Sequence, residues 1–205
     1  LLSLYVAHGI TTIRDCSGDL PDQVLAWRDQ IAAGKLCAPT LLSSGPKIEG
    51  IKPIWKGTIE CGSRDDIDAA IKRLKRLRVD FVKITDSTLD PQLFLYAVSR
   101  AKMAGLRTSG HIPMADTVEQ AIAAGISSIE HLDYAFKAGA RNEAAIATDF
   151  GAGRIERAEA NRRSDARSDR APAAAAYPHF AHTGGVVTPH RHGSRVTRLL
   201  RHPTT

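Results

Sequence analysis

The sequence predicts an α/β fold, a parallel sheet made of successive βα units that amounts to an incomplete (β/α)8 barrel. Three observations carry that reading. Short β-branched runs alternate with helix-period stretches through residues 1–135. Three of the helical stretches stop at a glycine, Gly34, Gly105 or Gly125, able to take the left-handed cap. And Lys83, His111 and His131 recur at or near strand ends, 28 and then 20 residues apart, which suits one βα unit per step.

The first strand is Gly9-Ile-Thr-Thr-Ile-Arg14, followed by a helix that Pro21-Asp22 opens and Gly34 ends. Pro39-Thr-Leu-Leu-Ser43 is the second strand. The segment from Gly45 to Gly62, rich in Gly, Lys and Pro, reads as a loop at a strand's carboxyl end, where a barrel carries its substrate-facing loops. Ser63-Arg-Asp-Asp66 caps the next helix, with Ile67, Ile71, Leu74 and Leu77 on one face and Lys72, Arg73, Lys75 and Arg76 on the other. Asp80-Phe-Val-Lys-Ile-Thr85 is the third strand. Asp90-Pro91 opens a helix that ends at Gly105, Leu106–His111 is the fourth strand, Thr117–Ala124 a short helix, and Ile126–His131 the fifth strand. A long helical region from about Asn142 to Phe180 and a sixth strand at Gly185–Pro189 complete the pattern. A full barrel needs about 250 residues, so 205 fall short by about two units. Residues 1–189 are therefore read as a partial barrel domain and 190–205 as a divergent basic tail.

Composition narrows the function classes. Hydrophobic residues make up 43% and charged residues 24%, the balance of a globular chain. With aromatics at 5%, the core must rest on Ala, Leu, Ile and Val. No run of about 18 apolar residues exists, which excludes an ordinary membrane span. The apolar opening Leu1–Ala7 lacks a basic flank and is a poor signal peptide. Position 1 is not Met, so the chain is expected to begin inside something longer, and its compartment is read as cytoplasmic. Cys16, Cys37 and Cys61 match neither a disulfide framework nor a Cys-x-x-Cys zinc site.

The formal net charge of +6 is unevenly placed. Residues 141–205 carry eleven arginines, no lysine and six acidic residues. Acidic side chains (Glu156, Glu159, Asp165, Asp169) interrupt the stretch and no aromatic ladder interleaves it, which argues against a dedicated nucleic-acid site. Nor is a membrane partner expected.

Candidate chemistry lies at the strand ends. Alternation puts Phe81, Lys83 and Thr85 on one face and Val82 and Ile84 on the other. A lysine within such a strand is costly to bury unless its amine is paired with Asp86 or Glu130, modified, or deprotonated. His111 ends the next strand and His131 the one after. Consecutive parallel strands bring their carboxyl ends side by side, so the three side chains can converge on one point, as a metal site requires.

The wording of Ala7-His-Gly-Ile-Thr-Thr-Ile-Arg-Asp15, Val79-Asp-Phe-Val-Lys-Ile84, Ser109-Gly-His-Ile-Pro113 and Ser128-Ile-Glu-His131 resembles the metal-dependent amidohydrolase superfamily. The nearest likeness is to its imidazolonepropionase-like and Xaa-Pro-dipeptidase-like branch. The resemblance runs from about Leu1 to Ile146 and, more weakly, to Thr188-Pro189. It implies a TIM-type (β/α)8 barrel with one or two divalent ions, zinc in the first instance, at its carboxyl face. It also implies hydrolysis of a carbon–nitrogen bond in a small amide, lactam or dipeptide. Lys83 would be a carboxylated lysine bridging the metals, and His111 and His131 further metal ligands. Asp133 and Tyr134 would lie close enough to touch substrate. The family's first-strand His-x-His pair and strand-eight Asp have no counterpart here: His8 stands alone, and His190 and His192 form a His-x-His within the arginine-rich end. The chain is accordingly expected to be a fragment of weak or no activity, with homo-oligomer formation compatible with the reading.

Two other functions fit the residues. A strand lysine can form a Schiff base with a carbonyl substrate, as in class I aldolases. Alternatively the chain is a truncated, non-enzymatic product whose arginine-rich end binds anions or nucleic acid through phosphate neutralisation alone.

Overall fold

The structure is a computed structural model. It describes residues 2–131, 134, 137–140 and 142–165, and the backbone of two strands, Phe180–Thr183 and Val186–Pro189. The elements run in the order α1 (Leu2–Ala7), β1 (Thr12–Asp15), α2 (Pro21–Ala32), β2 (Thr40–Ser43), β3 (Ile48–Glu49), β4 (Ile59–Glu60), α3 (Arg64–Arg76) and β5 (Val82–Ile84). Then follow α4 (Pro91–Met103), β6 (Thr108–Gly110), α5 (Val118–Ala124), β7 (Ser128–Glu130), α6 (Glu143–Gly151), α7 (Arg157–Asp165), β8 (Phe180–Thr183) and β9 (Val186–Pro189).

The helices form where capping and burial agree. Ser63 accepts a hydrogen bond from the Asp66 amide at the start of α3, and Ile67, Ala70, Ile71 and Leu74 are its buried stripe. Asp90 accepts from the amides of Gln92 and Leu93 ahead of Pro91, and α4 buries Phe94, Ala97, Val98 and Ala101. Thr117 and Gln120 form a reciprocal capping box on α5, which ends at Gly125 with φ +106°. One exit departs from the glycine pattern. Arg78, after α3, takes φ +53° itself.

β1 and β2 pair in parallel as a two-stranded sheet. The second sheet runs β4-β3-β5-β6-β7-β9-β8. The amide of Asp80, just before β5, donates to the Ser43 carbonyl at the end of β2 and links the two sheets. Within the second sheet, β3 through β7 are parallel, so the expected βα progression holds across β5, β6 and β7. The core lies between this sheet and helices α3, α4 and α5: Ile48, Val82, Ile84, Phe94, Ile112 and Ile129 have no accessible surface.

Three expectations need correction. The Gly45–Gly62 loop contains two short strands, β3 and β4, which local sequence hides because each is two residues long. Strand β9 matches the sixth strand in position, but it pairs antiparallel with β7 and with β8, so it is a hairpin arm and not the next parallel strand. The long helical region is broken: α6 and α7 account for 143–151 and 157–165, with Gly151 and Gly153 at the break. Its continuation through 166–179, Asp133 and the 190–205 tail with His190 and His192 lie outside the described residues. No described helix is long and apolar enough to cross a membrane.

Candidate active site

Register fixes the site before any side chain is considered. Lys83 on β5 pairs with Ser109 on β6, and Ser109 pairs with Ser128 on β7. Side chains alternate across a strand, so Lys83, Ser109 and Ser128 form one row on the face opposite Val82, Ile84 and Ile129. His111 and Glu130 stand two positions further toward the carboxyl ends, and His131 follows.

Gly110 allows the row to close up. A Cβ there would sit 3.2 Å from the Ile84 carbonyl oxygen and 3.2 Å from the Phe94 ring, so β5, β6 and α4 meet through a missing side chain. His111 follows directly, its amide bonded to the Ile84 carbonyl. His131 leaves β7 with φ +64°, an uncommon conformation for a non-glycine residue and one that turns the chain sharply at the strand end.

These turns bring three rings together. The His111 and His131 centroids are 4.9 Å apart. Tyr134 stacks on His111 at 5.4 Å with an interplanar angle of 7°, and lies 6.4 Å from His131. Asp86, just past β5, contacts two of these rings. Its Oδ1 accepts from the Tyr134 hydroxyl at 3.2 Å and lies 3.7 Å from His111 Nδ1. Its Oδ2 is 3.5 Å from the Arg157 guanidinium, which also covers the Phe150 ring.

Lys83 is 3% exposed, and its Nζ has no hydrogen-bond partner among the described residues. Neither ion pair open to it in the sequence has formed. Asp86 serves the ring cluster, and Glu130 is taken by Arg14 at 2.5 Å and by the Ser109 hydroxyl. Burial draws the Lys83 amine down to about 8, against the pull of Glu130. Burial, then the nearby Lys83 charge, lowers His111 to about 4 and keeps it a neutral imidazole. Burial pushes Glu130 upward, but its bond from Ser109 and the charges of Arg14 and Lys83 leave it below the usual carboxylate range.

Thus His111, His131 and Tyr134 are brought into contact, and Lys83 lies in the row beneath His111. Among the described residues, no three His, Cys, Asp or Glu side chains gather closely enough to hold a metal ion by themselves. Two contributors escaped the sequence reading. Arg14 gave the same signal as Lys83, a charge inside a β-branched strand. Arg157 gave none, because it sits in an arginine-rich stretch where nothing distinguishes one arginine from the next.

No family model and no curated protein matches the sequence. Solved structures do. Bottromycin amidohydrolase superposes with a TM-score of 0.58 at 22% identity, over 78% of this chain and 32% of its own. A Xaa-Pro dipeptidase with methionine bound in its active site gives 0.51 at 20% identity, over 77% and 49%. Ochratoxinase from A. niger gives 0.52 at 17% identity, over 65% and 38%. The chain shares the fold of these hydrolases and spans a third to a half of their length.

Proposed function

We propose that this barrel portion serves a metal-dependent hydrolase that cleaves a carbon–nitrogen bond in a small amide, lactam or dipeptide. One observation carries the reading: a buried lysine amine with no hydrogen-bond partner among the described residues, in the row beneath two touching histidines. A buried polar atom left unpaired costs about 1–3 kcal/mol, and among the described residues Lys83 Nζ is such an atom. Carboxylation would turn it into an anionic oxygen donor beside two imidazoles, a donor set suited to zinc. The neighbouring hydrolases were solved as amidohydrolase and dipeptidase, which supports the same class of bond.

Lys83, as its carbamate, His111 and His131 would hold the ion. The chemistry such an ion supplies is polarisation of the scissile carbonyl and activation of water near neutral pH. The remaining work falls to the chain's own groups. Asp86 Oδ1 lies 3.7 Å from His111 Nδ1, so its charge faces that side of the ring and Nε2 would be the nitrogen that coordinates. Tyr134 presents a flat ring over His111, with its hydroxyl held by Asp86, and so forms a wall against which a planar amide can lie. The neutral state of His111 means that no proton must leave before its nitrogen can donate.

Metal analysis tests this. The chain purified with zinc and bicarbonate is expected to hold about one zinc, and Lys83→Ala and His131→Ala are each expected to lose it. A metal-free wild type would refute the proposal. The unpartnered amine would also suit a Schiff base, and trapping of a carbonyl substrate on Lys83 by borohydride without metal would favour that chemistry instead.

A further inference from the structure

Glu130 is the carboxylate that acts most strongly on Lys83, yet the two are not paired. The reason lies in the other sheet. Arg14 on β1 reaches across to β7, where its Nη2 meets Glu130 Oε1 at 2.5 Å and its Nη1 donates to the Ser128 hydroxyl at 3.4 Å. The guanidinium is steadied over the Phe81 ring at 5.1 Å. Ser109, the register partner of Lys83, donates its hydroxyl to the same Glu130 oxygen. Both contacts fall on Oε1, one from the residue next to Lys83 and one from a cation of a different sheet. The side chains of Arg14 and Glu130 are 27% and 13% exposed, so neither is freely screened by solvent.

We propose that Arg14 is a positioning residue: by claiming Glu130 it keeps the Lys83 amine unpaired and open to a small carbon electrophile of the carbon dioxide class. The proposal rests on Lys83 being the carboxylated ligand, and it adds the device that keeps that amine available. Without Arg14 the half-buried Glu130 carboxylate would lose its ion-pair partner. Lys83, one residue beyond Ser109 in the row, would be the cation at hand to close on it. The resulting charge-assisted bond, typically about 1.5–3 kcal/mol, corresponds to a ten- to hundredfold loss of free amine.

Cyanate reads this directly without metal. Isocyanic acid has the shape of carbon dioxide. The Nζ lone pair adds to its carbon and one N–H proton moves to its nitrogen, giving a urea with no leaving group and no redox change. Trace labelling at one fixed pH, read by peptide mass spectrometry against exposed Lys72, gives the Lys83 rate in the whole chain. Arg14→Met is expected to slow Lys83 about tenfold or more while Lys72 is unchanged. Glu130→Gln, and the double variant Arg14→Met/Glu130→Gln, are expected to label at least as fast as wild type. An arginine that merely tied the sheets together would make all three variants behave alike. Wild-type labelling in Arg14→Met, equal slowing in Glu130→Gln, or a Lys83 inert in every form would each overturn the proposal. Should Arg14→Met fail to fold, Arg14→Gln, which keeps a polar side chain at the sheet junction but no charge, is read in its place, with the same slowing expected and wild-type labelling overturning the proposal. Zinc content is a separate measurement, so loss of the metal reading leaves the labelling pattern interpretable.

Discussion

Asp116 offers the most quantitative test of how this fold holds its site loops. It is 1% exposed, its Oδ2 has no hydrogen-bond partner among the described residues, and burial carries its carboxyl from 3.8 up to about 6 despite the nearby Lys137 charge. A carboxyl whose folded pKa lies above its unfolded value binds more protons when folded between the two. Stability must then fall as pH rises through that window and level off above about 6. The loss on complete ionisation is about 3 kcal/mol, at about 1.36 kcal/mol per pKa unit. Asp116→Asn keeps the shape and removes the charge. It is expected to leave stability nearly unchanged at pH 4 and to raise it by about 2–3 kcal/mol at pH 7. Urea denaturation of both proteins at pH 4, 5, 6 and 7 gives the difference directly. A difference that stayed constant across the series, or that favoured wild type at pH 7, would refute the assignment of a strained, buried carboxylate.

Further expectations rest on particular contacts. Gly50→Ala would place a Cβ 1.9 Å from the Thr88 carbonyl oxygen; backbone cannot yield as a side chain can, so a loss of about 2–3 kcal/mol is expected in equilibrium denaturation. Arg78→Gly should stabilise by about 1 kcal/mol, because the exposed Arg78 holds φ +53° at the end of α3, and a lower denaturation midpoint would contradict that. Lys83→Met replaces a buried amine, unpartnered among the described residues, by an apolar chain of similar length. Thermal unfolding in buffer free of carbon dioxide should show a gain of about 1–3 kcal/mol, together with loss of zinc, a trade of stability for function. A Lys83→Met protein less stable than wild type would mean that the amine has a partner after all. Phe94→Ala, which empties a fully buried site against Gly110, should cost about 3–5 kcal/mol by the same measurement.

Lys137 shows how tertiary packing supports the site from outside it. Its Nζ donates to the carbonyls of Pro113 and Met114 at 3.0 Å and to that of Asp116, and so holds the loop after His111 against the segment that carries Tyr134. Burial lowers this amine to about 8. Glu143 works on the same loop from α6, accepting from the Val118 amide at 2.8 Å. No sequence pattern announces such a hub, because backbone carbonyls are its partners and every residue has one.

Much of the fold was written locally. Ser63, Asp90 and Thr117 cap helices through their own side chains within three residues, and the stripe Ile67, Ile71, Leu74 needs only the helical period to be read. The same holds for the parallel progression of β5, β6 and β7 and for the placement of His111 and His131 at the carboxyl ends of neighbouring strands with Lys83 one row beneath, since both follow from alternation and spacing. Tertiary structure decided what those residues touch. That Arg14 and not Lys83 takes Glu130, across 116 residues, depends on two sheets meeting. That Asp86 meets His111, Tyr134 and Arg157 depends on the ends of β5 and β6, the segment of Tyr134 and the start of α7 arriving together. That β9 runs antiparallel to β7 depends on a pairing partner, which period-two alternation does not encode. Caps and periodicity act over one or two turns of chain, whereas the pairing of buried charges is settled only where distant strands come within about 4 Å, the separation at which burial makes each carboxylate choose a single cation.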